Sequence, residues 1–286
     1  MTLTLRKDLS DLLDTIDDLP SFPVAIQKAT AIADDPNASA QELADVIQID
    51  LALTAKLLRV TNSAFYGLTR KISTVREAVM ILGFSSVRSL AVAVSAMKMF
   101  DAKDSALFTL DAFWLHSTCS ALVAQQLCQL AMLPESSEAF TAALLHDIGK
   151  IILDQYAHES FMDVLNAQQK EQRILPETEN LIINTTHSEI GRRLCETWNL
   201  PDPLCEAIGQ HHSPARARRH PMLAMLAGLA DYICATNGLK SVHHAGKPPD
   251  LSDDVEALNI QPGVIAEVNK RFPDILKEAR HLTSND

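Results

Sequence analysis

No segment of this sequence is apolar over enough residues to cross a membrane. The most apolar run, from Ser89 to Met97, is stopped by Lys98, far short of the roughly 20 residues that a membrane-spanning helix needs. The first residues mix charges with leucines and lack the continuous apolar core of a secretory signal. We therefore expect a cytoplasmic protein without a membrane partner.

Cysteine occurs only five times, and no two cysteines have C-x-x-C spacing. This pattern excludes zinc ribbons and thioredoxin-like motifs, and the odd count argues against a disulfide framework. We expect free thiols that are buried as small apolar groups. The five residues are Cys119, Cys128, Cys195, Cys205 and Cys234.

Positive charge is also scarce, because 25 lysines and arginines face 36 acidic residues and leave a formal net charge of −11. Such a chain is repelled by polyanions overall, which argues against nucleic acid as a partner. The exception is the segment 56–88, where six basic residues accompany one acidic residue, Glu77. This basic segment indicates either a solvated face or a docking surface for an acidic partner or a nucleotide.

The alternation of apolar and polar residues that is typical of β-strands is absent over any useful length, whereas helical periodicity recurs along the chain. Ser39 with Glu42, and Thr74 with Glu77, have the spacing of capping boxes, which begin helices. We predict an all-α fold. Two of the expected helices start at these boxes, and two more flank a turn at 198–201. Two short helices are expected in the tail, after a loop at 246–249. The remaining expected helices cover about 53–60, 87–99, 111–130, 144–153 and 221–235.

The strongest chemical signal is the run from Leu144 to Lys150, in which His146 and Asp147 interrupt apolar residues. Because unpaired polar groups are costly to bury, this imidazole and this carboxylate need partners. A metal ion would satisfy both, since neutral histidine offers a nitrogen and aspartate offers an anionic oxygen. A buried hydrogen bond between the two side chains is the alternative interpretation.

Five more residues of metal-binding type lie in segments that we read as helical or at helix ends. Considered alone, each would be an ordinary polar side chain, and the adjacent pair His211 and His212 also suits a helix C-terminus, where a charged histidine is favourable. Their order relative to the His146–Asp147 doublet makes them candidate co-ligands. They are His116, His187, His211, His212 and Asp231.

The candidate ligands match a known pattern. His116, the doublet and Asp231 resemble the H…HD…D pattern of HD-domain phosphohydrolases, and His187 with the His211–His212 pair is similar to the extra ligands of the dinuclear HD-GYP branch, which hydrolyses cyclic dinucleotides. The resemblance implies one or two divalent metal ions, with iron or manganese the usual metals and zinc also compatible. It further implies that Asp147 bridges the two metals and that Lys150 lies close by as a second catalytic residue.

The chain departs from the HD-GYP branch at two places. The Gly-Tyr-Pro element that follows the paired histidines is absent, and residues 213–219 read S-P-A-R-A-R-R instead. A trinuclear subset of that branch uses a glutamate one turn before the first histidine, and the corresponding residue here is Ala112. Recognition of a cyclic dinucleotide therefore does not follow from the ligands.

Short motifs in the first half of the chain resemble the HDOD domain over roughly residues 15–215, in the same order as in that family. They are the segments 19–23, 50–59, 62–67, 72–78 and 82–83. HDOD modules are generally regarded as signalling or regulatory domains. The resemblance implies a two-lobed protein with an N-terminal helical lobe over 1–105, an HD-type bundle with the metal site over 106–240, and a C-terminal helical tail over 241–286.

Three functions are compatible with these observations. The first is a regulatory HDOD module that acts through a signalling protein partner. The second is a metal-dependent phosphohydrolase acting on a nucleotide or cyclic dinucleotide, for which a nucleotide or phosphate would be a ligand. The third is a nucleic-acid-binding regulator that uses the basic segment. The missing Gly-Tyr-Pro element favours the first function over the second, and the acidic composition disfavours the third.

Overall fold

The computed structural model describes residues 7–16, 23–35, 37–62, 68–97, 99–100, 105–134, 136–242 and 250–284. Within these residues we find fifteen α-helices and no β-strand, so the predicted all-α fold class is confirmed. Three segments singled out in the sequence, namely 19–22, 63–67 and 246–249, lie outside the described residues. No helix in the described part of the chain is long and apolar enough to cross a membrane.

The chain divides into two compact units. The larger unit consists of residues 1–19 and 101–279, and the smaller unit of residues 20–100 and 280–286. The first part of the predicted tail, up to residue 279, thus belongs to the larger unit. The three boundaries predicted from the sequence remain predictions.

The smaller unit contains the first five helices. They are α1 (Val24–Asp34), α2 (Ala40–Ile47), α3 (Leu51–Thr61), α4 (Val75–Leu82) and α5 (Phe84–Ala96). The capping box at Ser39 is present, because its Oγ accepts the Glu42 backbone N–H at 3.2 Å while Glu42 accepts the Ser39 N–H at 2.6 Å. Gly83 ends α4 with a φ of 84°, a conformation that side-chain-bearing residues adopt at a cost.

The larger unit contains the remaining helices. They are α6 (Leu110–Ala131), α7 (Ser136–Leu145), α8 (Ile148–Tyr156), α9 (His158–Glu171), α10 (Leu175–Ile183), α11 (His187–Thr197), α12 (Asp202–Gln210), α13 (Pro221–Thr236), α14 (Ser252–Ala257) and most of α15 (Pro262–Thr283). Helix α6 packs against α7 and α13, and α11 packs against α8 and α12. Every residue of α6 from His116 to Cys128 is buried, so this helix runs through the core.

The prediction of one continuous helix over 144–153 is wrong. Helix α7 ends at Leu145 and α8 begins at Ile148, so His146 and Asp147 lie in the turn between them. The His146 imidazole Nδ1 is 2.7 Å from the Ala143 carbonyl in the last turn of α7. The periodicity of apolar residues did not indicate this break, because the sequence is apolar on both sides of His146 and Asp147.

Other differences concern elements that the sequence did not reveal. Helices α1, α9 and α10 were not predicted, and the second helix of the tail, α15, has 22 residues rather than being short. The prediction about the cysteines is confirmed, since all five are buried and none forms a disulfide.

Candidate metal centre

All seven predicted ligands come together in the larger unit. Five separate elements deliver them, namely α6, the turn between α7 and α8, the first residue of α11, the residues that follow α12, and α13. The residues are His116 from α6, His146 and Asp147 from the turn, His187 from α11, His211 and His212 after α12, and Asp231 from α13.

The carboxylate of Asp147 lies at the middle of the cluster, and its two oxygens face different imidazoles. Oδ1 is 3.3 Å from His187 Nε2 and 3.9 Å from His211 Nε2. Oδ2 is 3.4 Å from His146 Nε2 and 3.9 Å from His116 Nε2. One carboxylate therefore joins two sets of nitrogen donors.

We name the two sets by their histidines. The His187 group consists of Asp147, His187, His211 and His212, and the His116 group consists of His116, His146 and Asp147. Within each group the potential ligand atoms all lie within 4.8 Å of one another. Asp231 adjoins the His116 group, because its Oδ1 is 3.2 Å from His116 Nε2 and 3.8 Å from His146 Nε2.

Four of the histidines are oriented by a partner at Nδ1. Because a carbonyl or a carboxylate oxygen only accepts, each Nδ1 carries a proton and each Nε2 faces the centre of the cluster, where the neutral form of the ring offers a lone pair to a metal. The partners are the carbonyls of Leu239 for His116 (3.2 Å), Ala143 for His146 (2.7 Å) and Ile208 for His211 (2.7 Å), and the carboxylate of Glu179 for His187 (2.7 Å).

Several of these inward-facing atoms are buried without a hydrogen-bond partner. They are Nε2 of His116, of His146 and of His211, together with Oδ1 of Asp147. Leaving a buried polar atom unsatisfied costs about 1–3 kcal/mol, so a group of four requires an explanation. Imidazole nitrogens and a carboxylate are suitable ligands for iron, manganese and zinc, and the residues present therefore fit a divalent metal centre.

The protonation of the cluster without metal follows from its charges. Burial opposes the charged form of His146, but the carboxylates of Asp147 and Asp231 outweigh it and raise the pKa to about 10. Burial, with the positive charges on His146 and His187, lowers the pKa of His211 to about 3. His211 is therefore neutral, which is the form of histidine that binds metal. His146 is protonated, and its positive charge lies where the two carboxylates favour a cation.

Lys150, predicted as a catalytic residue, is buried beside the central carboxylate with 1% exposure. Its Nζ is 2.5 Å from Asp147 Oδ2 and 3.0 Å from Ser241 Oγ. Ser241 Oγ in turn donates to the same Oδ2 at 2.7 Å. Burial would raise the pKa of Asp147, but the charges on His146 and Lys150 hold it well below its ordinary value of 3.8.

Two residues of the cluster were missed in the sequence. Ser241 follows α13 without any motif around it, and Glu179 lies in α10, a helix that was not predicted. Glu179 is fully buried and accepts both the backbone N–H of His187, at 3.1 Å, and its Nδ1–H. The sequence pattern did not single out Glu179, because its role depends on a contact with His187, eight residues further along the chain.

Two glycines allow neighbouring helices to approach two of the candidate ligands closely. A Cβ atom on Gly149 of α8 would lie 1.9 Å from the His187 carbonyl oxygen, and one on Gly228 of α13 would lie 2.3 Å from the His211 carbonyl oxygen. Both contacts are to backbone, which cannot rotate away. The positions of His187 and His211 therefore depend on glycine in the neighbouring helix.

Two of the seven candidate ligands are partly exposed to solvent. The side chains of His116, His146, Asp147, His187 and His211 are at most 1% exposed. The Asp231 side chain is 15% exposed, and His212 is half-buried. These two residues are therefore the part of the cluster that is open to solvent.

The HDOD domain family matches residues 19–214 of the chain, and the chain belongs to that family. An uncharacterised protein of Treponema pallidum is 27% identical over 233 residues, which are 79% of this chain and 44% of the relative. The chain thus spans less than half the length of that curated relative.

Solved structures share the fold. An HDOD domain protein of unknown function from Geobacter sulfurreducens is 24% identical, with a TM-score of 0.77 over 96% of this chain and 97% of that chain. A "putative phosphohydrolase" from Shewanella amazonensis is 22% identical, with a TM-score of 0.74 over 95% and 97% of the two chains. A "putative signal transduction protein" from Marinobacter aquaeolei is 23% identical, with a TM-score of 0.74 over 99% of this chain and 63% of that chain.

Proposed function

We propose that this chain is a regulatory HDOD module whose larger unit binds two divalent metal ions and which transmits a signal by contact with a protein partner. The observation that carries the metal part is the Asp147 carboxylate, whose two oxygens face two separate sets of imidazole nitrogens. The signalling part rests on membership of the HDOD family and on the absence of the Gly-Tyr-Pro element after His212.

Each ion would have its own ligands and share Asp147. The His187 group would hold one ion with His187, His211 and His212, and the His116 group with Asp231 would hold the other. Iron or manganese suits this mixture of imidazole and carboxylate donors, and zinc is compatible. Two bound cations would also offset the negative charges of Asp147 and Asp231. In the metal-free protein, Lys150 and protonated imidazoles offset these charges instead.

A second candidate function is hydrolysis of a phosphate ester, such as a nucleotide or cyclic dinucleotide. It is favoured by the convergence of all seven candidate ligands and by the partial exposure of Asp231 and His212, which a substrate in solvent could contact. Bound divalent ions would supply Lewis-acid stabilisation of the phosphoryl oxygens. In the chain itself, Lys150 would hold the Asp147 carboxylate in place together with Ser241.

The two functions are separated by an activity assay on manganese-loaded protein with bis(p-nitrophenyl) phosphate, a general phosphodiester substrate. The regulatory module is expected to bind manganese without turnover. Turnover that disappears in Asp147→Asn, but persists in the control Asp274→Asn at an exposed position of α15, would establish the phosphohydrolase instead. Protein that retains no manganese would contradict both proposals.

A further inference from the structure

A second polar site lies in the larger unit, in a cleft of about 270 Å³. Its walls are α11, α12 and the segment of residues 216–220, which we call the arginine segment. This segment follows the paired histidines of the metal centre and occupies the place where the HD-GYP branch would have its Gly-Tyr-Pro element. None of the metal ligands lines the cleft.

The arginine segment is held in a fixed conformation by one carboxylate. Glu206 of α12 accepts the backbone N–H groups of Arg218, Arg219 and His220 at 2.8, 3.1 and 2.7 Å. Burial opposes the charged form of Glu206, but these three N–H groups outweigh it and lower its pKa. Just before the segment, Pro214 is buried. The arginines therefore project from an ordered backbone.

The negative charges of the cleft already have partners. Glu196 is paired with Arg192, Asp202 with Arg219 at 2.8 Å, and Glu206 with the backbone N–H groups. The guanidinium groups of Arg216 and Arg218 have no hydrogen bond or ion pair with the described residues. Two arginines without an ion pair thus line one cleft of a chain whose formal net charge is −11.

We propose that this cleft binds the phosphate group of a small-molecule ligand through Arg216 and Arg218. A guanidinium presents a planar fork of N–H donors that matches the oxygens of a phosphate, and two such forks at one cleft can hold its two negative charges. Arg219 and Arg192 also line the cleft, but their guanidinium groups are already paired with Asp202 and Glu196. This site is separate from the metal centre and does not depend on the proposed function.

The test is a calorimetric titration of the full chain with inorganic phosphate at millimolar concentrations and low salt. Wild type is expected to bind phosphate saturably. Arg216→Gln/Arg218→Gln is expected to weaken this binding at least about tenfold, since hydrogen bonds to charged groups contribute that much or more. The matched control is Arg173→Gln/Lys270→Gln, which removes two exposed positive charges away from the cleft and should retain wild-type affinity.

A third variant, Asp147→Asn, distinguishes phosphate binding in the cleft from phosphate binding at the metal centre. This variant should lose metal but still bind phosphate in the cleft. Saturable binding that survives in Arg216→Gln/Arg218→Gln and disappears in Asp147→Asn would assign the phosphate to the metal centre and overturn the inference. So would equal weakening in the control double variant, which would show a general charge effect, or no saturable binding by wild type. Circular dichroism spectra and melting temperatures check that each variant is folded.

Discussion

The carboxylate of Glu179 holds His187 at two atoms, accepting its backbone N–H at 3.1 Å and lying 2.7 Å from its Nδ1. Burial disfavours the imidazolium form of His187, but the charge of Glu179 outweighs it and raises the pKa. A carboxylate behind a ligating histidine fixes the ring and makes its other nitrogen a stronger ligand. Glu179 thus positions one candidate ligand, His187, from outside the cluster.

Glu179→Gln is therefore expected to weaken metal binding by about 10- to 100-fold, because the ring loses its charged partner while the side-chain shape is kept. Competition with a chelator of known affinity measures the change. Glu177→Gln, at an exposed position of the same helix, is the matched control and should behave like wild type. Equal metal affinity in the two variants would contradict the positioning role of Glu179.

Lys150 supplies the positive charge beside Asp147 when no metal is bound. In the metal-free protein, Lys150→Met should reduce the free energy of unfolding by about 3–5 kcal/mol, since it breaks a buried ion pair with Asp147. In the manganese-loaded protein the loss should be smaller, because bound cations compensate the same charge. Urea unfolding of both forms measures this difference.

The control for that prediction is Lys170→Met, which removes an exposed lysine of α9 and should change neither form by more than about 0.5 kcal/mol. If Lys150→Met destabilised the metal-free and loaded proteins equally, metal would not act on the charge of Asp147.

Gly149→Ala should disrupt the approach of α8 to α11, because the added Cβ would lie 1.9 Å from the His187 carbonyl oxygen. We expect a loss of about 3 kcal/mol or more in the free energy of unfolding, the upper range for an overpacked core. Gly263→Ala in α15 is the control, since nothing lies within 4 Å of its added Cβ. A melting temperature of Gly149→Ala close to that of the control would show that the backbones are not in contact.

The pH dependence of stability should include a contribution from Glu206. Its pKa is lowered from the ordinary value of 4.5 in the folded protein, so its ionised form stabilises the fold above that value and the contribution is lost as the pH falls through the folded pKa. Glu206→Gln should therefore unfold at lower urea than wild type at pH 7. In acid, below the folded pKa, the two midpoints should converge, and a constant gap across the pH range would contradict this account.

The fold class could be predicted from the sequence, and so could the set of seven side chains that the structure brings together. Capping boxes and helical periodicity are local signals, so Ser39 and Gly83 could be recognised as helix ends without knowledge of the rest of the chain. These side chains could be singled out because polar residues inside apolar segments require partners, and because their order resembles that of a known family.

The remaining features depend on contacts between distant segments. The turn at His146 and Asp147 is stabilised by the bond from the imidazole to Ala143 and by the packing of α8 on α11, neither of which changes the apolar pattern. Ser241 is 94 residues from Asp147 along the chain, and no spacing rule connects them. The cleft at the arginine segment likewise exists only because Glu206 folds that segment onto α12.

The most direct test of the metal centre is elemental analysis of protein purified without a chelating tag, compared with Asp147→Asn. The two ligand groups that share Asp147 predict about two equivalents of iron, manganese or zinc per chain, and loss of both ions in the variant because the shared carboxylate no longer carries charge. Wild-type protein that stays metal-free after reconstitution, or a folded variant that keeps both equivalents, would contradict the account.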